Sequence, residues 1–130
     1  MSSDVIADML TAIRNATLVK KDKVDILYSK LKLEIIRILK EEGFIANYKK
    51  VDSVNNKSYI RVFLKYTPNN ESVIREIVRV SKPGRRIYRS YKDLKSDNIT
   101  VYILTTPKGV ITDKKAKELK VGGEVICYVR

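Results

Sequence analysis

Nowhere in these 130 residues do more than five apolar side chains follow one another: the longest run is Val125-Ile126-Cys127-Tyr128-Val129, and the next is Val101-Tyr102-Ile103-Leu104. A helix that crosses a bilayer needs about 20 predominantly apolar residues, so no such helix is expected. The apolar residues, 44% of the chain, must instead be distributed over short amphipathic elements, each burying one face. That content exceeds what a disordered basic tail or a linker carries, and a chain near this length buries roughly two thirds of its unfolded surface on folding. The opening Met1-Ser2-Ser3-Asp4 has no basic stretch followed by an apolar one, so no secretory signal is expected and a reducing interior compartment is the simplest location.

The spacing of the apolar residues names the elements. Val5, Ile6, Met9, Leu10, Ile13 and Ala16 recur at three and four, which predicts a helix over 4–18 with Asp4 near its N-cap. Residues 24–28 read as a strand, and Ser29 then caps a second helix whose stripe is Leu31, Ile35, Ile38 and Leu39, with Gly43 ending it in the C′ position. Alternating runs at 44–51 and 58–66 flank the turn formers of Asp52-Ser53-Val54-Asn55-Asn56-Lys57, which predicts a hairpin with Ile60, Val62 and Leu64 on one face.

Loop formers are densest at Thr67-Pro68-Asn69-Asn70-Glu71-Ser72, and this stretch is taken as the boundary between an N-terminal half, 1–70, and a C-terminal half, 71–130. Strands are expected in the second half at 73–80, 86–88, 99–104 and 125–129. One short helix follows Thr112 as N-cap, running to Leu119, with Asp113 favourable at its start and Lys117 and Lys120 near its end.

Charge and chemistry narrow the function. Lys and Arg number 27 against 15 Asp and Glu, a net +12, and such a field draws in polyanions, of which nucleic acid is the commonest. A membrane surface and an acidic protein are the other possible partners. The second half is the more positive, with 14 basic and 7 acidic residues against 13 and 8 in the first. Histidine is absent and Cys127 is the single cysteine, which excludes His-based triads, His-ligated metals, CxxC pairs and an internal disulfide. The acidic pairs Asp4 and Asp8, and Glu41 and Glu42, are explained by helix dipoles and solvated faces. No glycine-rich phosphate loop is present, so neither catalysis nor a cofactor is expected.

Two constellations remain. Residues 79–92 hold Arg79, Lys82, Arg85, Arg86, Arg89 and Lys92 with no acid and with Tyr88 and Tyr91, a mixture suited to phosphates and unpaired bases. A solvated basic strand-turn-strand whose tyrosines fill a sheet face explains the same residues. The second constellation joins Thr105-Thr106-Pro107-Lys108-Gly109 with Gly122-Gly123-Glu124. These become neighbours if the strands at 99–104 and 125–129 pair antiparallel. Hydroxyls, bare backbone amides and one carboxylate are groups that read base edges and 2′-hydroxyls, and Lys108 adds a cation for phosphate. Two ordinary tight turns would use the same residue types.

Several blocks together resemble the small ribosomal subunit protein eight family in its bacterial and organellar form. They are residues 6–15 (IADMLTAIRN), Ser29-Lys30-Leu31-Lys32, residues 39–45 (LKEEGFI), residues 79–88 (RVSKPGRRIY), residues 108–113 (KGVITD) and residues 122–129 (GGEVICYV), in the family's order and covering essentially the whole chain. The resemblance implies an α+β protein, with two N-terminal helices packed on a three-stranded sheet and a C-terminal half that is mainly antiparallel β with one short helix.

It also implies a structural protein that binds the central domain of small-subunit rRNA early in assembly, without catalysis, in the cytoplasmic ribosome of a bacterium or, alternatively, in an organellar ribosome. Its contacts fall on Thr105, Thr106, Lys108 and Gly109, on Gly122, Gly123 and Glu124, and on Tyr88, with Lys30 and Lys32 touching a neighbouring RNA helix. Beside the resemblance, the basic residues Lys82, Arg85, Arg86 and Arg89 are expected, from their charge, to position the phosphate backbone. Neighbouring small-subunit proteins, including the fifth, and the chain's own messenger RNA are further implied partners, and a free-standing RNA-binding translational regulator is the rival reading. Two departures stand out. Pro107 replaces the family's usual third hydroxyl residue, and Lys95-Ser96-Asp97-Asn98-Ile99 replaces a longer glycine-rich approach to the strand.

Overall fold

The computed structural model describes residues 4–53 and 55–130; Met1, Ser2 and Ser3 of the opening and Val54 of the hairpin turn lie outside the described residues. Contacts divide the chain into two compact units. One is Asp8–Arg75, and the other joins residues 4–7 to Glu76–Arg130.

Helix α1 (Val5–Leu18) begins at Asp4, whose Oδ1 accepts the Ala7 N–H at 3.1 Å. That satisfies one of the unpaired donors at the helix start, as the sequence predicts. Strand β1 (Lys23–Leu27) leads into α2 (Lys30–Glu41), where Ser29 Oγ accepts the Lys32 N–H at 3.2 Å. The other end of α2 is closed by Gly43 at φ +81°, with Phe44 N–H donating to Leu39 O at 2.8 Å and Gly43 N–H to Lys40 O at 3.0 Å. Both bonds are those of a Schellman cap, whose left-handed residue costs least when it is glycine. The buried stripe of α2 differs from the expected one: Ile36 is buried, while Leu31 lies exposed.

Strands β2 (Ile45–Asp52) and β3 (Ser58–Leu64) form the expected hairpin, and β1 pairs antiparallel with β3, giving a sheet of order β1-β3-β2. Ile60, Val62 and Leu64 are all buried, together with Ile26 and Ile45 beside them. These residues share the sheet face that the apolar stripe of α2 packs against.

In the other unit, β4 (Ile77–Arg79), β5 (Tyr88–Arg89), β6 (Val101–Thr106), β7 (Gly109–Thr112) and β8 (Gly123–Val129) make a five-stranded antiparallel sheet. Strand β8 pairs with β4, β5 and β6, and β7 pairs with β6. The strand expected over 73–80 is shorter because residues 73–76 run as loop, with Ile74 still buried, and the one expected over 86–88 is displaced to Tyr88–Arg89. Strand β7 and a short 3-10 turn at Tyr91–Asp93 are additional to the expected elements.

Helix α3 (Asp113–Leu119) starts at Thr112, whose Oγ1 accepts the Lys115 N–H at 3.2 Å, and it packs on β6 and β7 over a core of Leu94, Leu104, Ala116 and Val125. Asp113 does more than complement the helix dipole. Buried at 2% exposure, its carboxylate accepts from Ser96 Oγ at 3.0 Å and from the Tyr102 N–H at 3.3 Å. Among the described residues no helix is long and apolar enough to cross a membrane.

Candidate nucleic-acid interface

Antiparallel pairing brings the second constellation together. In register, Tyr88 faces Glu124 across β5 and β8, Glu124 faces Thr105 across β8 and β6, and Thr105 faces Val110 across β6 and β7. Residues directly opposite in an antiparallel pair share a face. Tyr88, Glu124 and Thr105, drawn from three separate stretches of sequence, therefore form one row across the sheet.

The next row explains the two glycines. Arg89 pairs with Gly123, and Thr106 with Gly109. A Cβ added at Gly123 would overlap the Thr105 carbonyl oxygen and lie 3.0 Å from Thr106 Cγ2, while one added at Gly122 would overlap the Arg89 carbonyl oxygen and lie 2.9 Å from Ser90 Cα. Only hydrogen fits at these two positions. The start of β8 is thus a backbone surface held closely between β5 and β6.

Each flank is a tight basic turn. Lys82 and Arg85 exchange both backbone hydrogen bonds at 2.9 Å around Pro83-Gly84, and both side chains are exposed. Ser81 beneath them is fully buried; its hydroxyl accepts the Ile87 N–H at 2.9 Å and donates to the Ile87 carbonyl at 3.3 Å. The other turn is Pro107-Lys108. There Thr106 Oγ1 donates to the Gly109 carbonyl at 2.9 Å and accepts the Lys108 N–H at 3.1 Å. Gly109 sits at φ +103°, where a side chain is strained. The Thr106 hydroxyl therefore shapes its own hairpin, and one acceptor lone pair remains on it. Pro107 stands in the first loop position between the paired Thr106 and Gly109, and the closing bonds are intact.

Arg86 NH1 donates to Glu124 Oε2 at 3.0 Å, with the Glu124 side chain 16% exposed and that of Arg86 47%. No local signal announces this pair, since 38 residues separate its members. The first constellation divides. Tyr88 is 64% exposed, whereas Tyr91 packs partly buried against the Leu94, Leu104, Ala116 and Val125 core. Arg79 is not part of the exposed basic surface. Its Nε lies 3.1 Å from Asp4 Oδ2 and its NH1 donates to the Ile126 carbonyl at 2.7 Å, with the side chain 11% exposed.

Burial works against the Asp4 carboxylate, but the Ala7 N–H and the Arg79 guanidinium outweigh it and hold its carboxyl below the usual range. Cys127 lies buried in β8, and burial pushes its thiol up to about 12, only partly offset by Arg79.

Lys30 and Lys32 belong to the Asp8–Arg75 unit. Lys30 is exposed in the first turn of α2; Lys32 is buried, and its Nζ donates to the Leu27 carbonyl at 3.0 Å.

Comparison with known proteins decides the family. Residues 4–130 match the family described as Ribosomal protein S8. The chain belongs to the ribosomal protein S8 family. It is 52% identical over 131 residues to the small ribosomal subunit protein uS8 of Thermodesulfovibrio yellowstonii, with 99% of each chain covered. The uS8 proteins of Thermus thermophilus and Thermosipho melanesiensis are 50% and 54% identical, again over 99% of both chains. Members of the S8 family are structural proteins of the small ribosomal subunit and bind ribosomal RNA as a general property; the family is not one of enzymes.

Proposed function

We propose that this chain is a structural constituent of the small ribosomal subunit that grips an irregular region of a small-subunit rRNA helix, in the central domain, through its Glu76–Arg130 unit. The observation that carries the reading is the row Tyr88, Glu124, Thr105 lying beside the bare Gly122-Gly123 backbone and flanked by two basic turns. Labour is divided. Lys82, Arg85, Arg86 and Lys108 neutralise phosphates and fix register, which carries no sequence information by itself. Tyr88 offers an exposed ring for an unpaired base, and Glu124, Thr105, the backbone of Gly122 and Gly123, and the loop of Thr106 and Gly109 meet base edges and 2′-hydroxyls.

Lys30 adds a phosphate contact to a neighbouring RNA helix. A contact through Lys32 uses the two ammonium protons left after the bond to Leu27. The chain performs no reaction of its own. Its bacterial relatives favour a bacterial cytoplasmic ribosome over an organellar one, with the fifth small-subunit protein as a neighbour and its own messenger RNA as a second ligand.

Affinity for an rRNA helix carrying the irregular region, compared with a regular duplex of equal length at fixed salt, tests the reading. Thr106→Ala is expected to lose about 1–3 kcal/mol on the irregular helix and almost nothing on the duplex, and Thr106→Ser to restore the difference. Equal losses on both RNAs would overturn the assignment. Co-sedimentation with small subunits at high salt separates the ribosomal reading from a free-standing regulator.

A further inference from the structure

The sheet of the Asp8–Arg75 unit has a second face, away from its buried side. The face opposite Ile26, Ile60, Val62 and Leu64 follows from the register. Its three cross-strand rows are Leu27, Tyr59 and Val51; Asp25, Arg61 and Lys49; and Lys23, Phe63 and Asn47. Tyr59, Arg61 and Phe63 therefore stand one above the other along the central strand β3, at positions i, i+2 and i+4. All three are planar groups, spaced about 7 Å apart on an extended strand.

Nothing in the pairing calls for aromatic rings on this outer side, since Tyr59 and Phe63 are only partly buried and Leu27 is 55% exposed. Arg61 is held flat. Its Nε and NH2 donate to the two carboxylate oxygens of Asp25 at 2.9 and 3.2 Å. This engages the one carboxylate of the face and leaves Lys23 and Lys49, both exposed, on either side of the ladder. Three cations against one acid give the face the sign that a polyanion requires.

We propose that this outer sheet face is a stacking platform for a short unpaired stretch of RNA, separate from the helix-reading row. Base faces lie on Tyr59, the Arg61 guanidinium and Phe63, and Lys23 and Lys49 meet the phosphates that run along either side. Ring and guanidinium faces accept any base, so this site tolerates sequence, and the Asn47 amide beside Phe63 is placed to hydrogen-bond a base edge. An apolar protein partner fits the face less well. The middle row is charged from edge to edge, which splits the Leu27, Tyr59 and Val51 patch from Phe63.

The test uses the full chain and a fluorescently labelled octauridylate. Tyr59→Leu and Phe63→Leu keep an apolar side chain in the sheet while removing the ring, and each is expected to weaken octauridylate binding about tenfold. Binding of the irregular rRNA helix without a single-stranded tail is expected to be unchanged, so failure here is distinguishable from failure of the helix-reading assignment. Circular dichroism melts establish that both variants fold, and ultraviolet cross-linking of the unaltered chain to octauridylate, mapped by peptide, gives a readout that needs no variant.

Cross-links at Tyr59 or Phe63 support the platform. Cross-links confined to residues 79–92, or unchanged octauridylate affinity in both variants, overturn it. So does loss of a ribosomal protein contact, rather than RNA affinity, in the two variants.

Discussion

Gly123 lies so close to Thr105 that a methyl group on its Cα would occupy the space of the Thr105 carbonyl oxygen. Closeness of this kind cannot be relieved by rotating a side chain, because the obstacle is backbone. Gly123→Ala is therefore expected to cost about 2–3 kcal/mol of stability by forcing β6 and β8 apart, and to lower affinity for the irregular rRNA helix at the same time. Urea denaturation and helix binding by one preparation check both effects. An unchanged unfolding midpoint would show that the strands yield freely there.

Arg86 and Glu124 test the division between positioning and reading. Removing the cation in Arg86→Ala is expected to weaken binding to all RNAs by a similar factor and to reduce the slope of log affinity against log salt by about 1. Removing the anion in Glu124→Ala leaves Arg86 without its partner, so non-specific binding rises while discrimination between irregular helix and duplex falls. Filter binding across a salt series measures both. A salt slope unaffected by Arg86→Ala would count against a phosphate role.

Asp4 and Arg79 make stability depend on pH in a stated direction. Because the folded-state pKa of Asp4 lies below the ordinary value, its contribution is fully present above the ordinary carboxylate pKa of about 3.9. It is lost as pH falls through the lower folded-state value. Asp4→Asn keeps an N-cap acceptor but not the charge. It is expected to be less stable by about 1 kcal/mol at pH 7, with the gap narrowing under acid. Urea unfolding at neutral and acid pH reads this, and a gap of constant size would remove the ionic explanation.

Cys127 is predicted to be silent. Its thiol is buried and pushed up to about 12, so almost no thiolate exists at pH 8 and no reagent reaches it. Ellman's reagent should label the native chain only at the rate of unfolding and label it at once in denaturant. Rapid labelling without denaturant would mean that the end of β8 opens locally.

How much of this was legible in the sequence depends on the range of the interaction. Caps were readable because donor and acceptor lie within three residues: Asp4 with Ala7, Ser29 with Lys32, Thr112 with Lys115. The hairpin around residues 52–57 was readable for the same reason, since turn formers separate two alternating runs. Strand β7 was missed although Val110-Ile111-Thr112 is a β-branched run directly after a turn; four residues are too few to display a period. Arg86 with Glu124 and Arg79 with Asp4 had no local signal, being 38 and 75 positions apart. At the interface, the residue types were legible but the row they form was not. The row exists only because β8 pairs with both β5 and β6, and the sequence reading foresaw only the second pairing. The inward bonding of the Thr106 hydroxyl was equally hidden, since threonine in a turn looks the same whether it faces a ligand or closes its own loop.

The position of β8 in its sheet has a consequence for how the chain comes into being. Of the eight strands among the described residues it is synthesised last, yet three others pair with it. While the chain is being made, Asp8–Arg75 is available in full long before the second unit possesses its organising strand; in the interval β6 has only β7 to pair with, and β4 and β5 wait unjoined. The surface assigned to RNA comes into existence in a single late event, when Gly122-Gly123 closes between its two neighbours. A nascent chain interrupted anywhere before that point carries most of the positive charge but none of the assembled row, and would hold RNA without distinguishing one RNA from another.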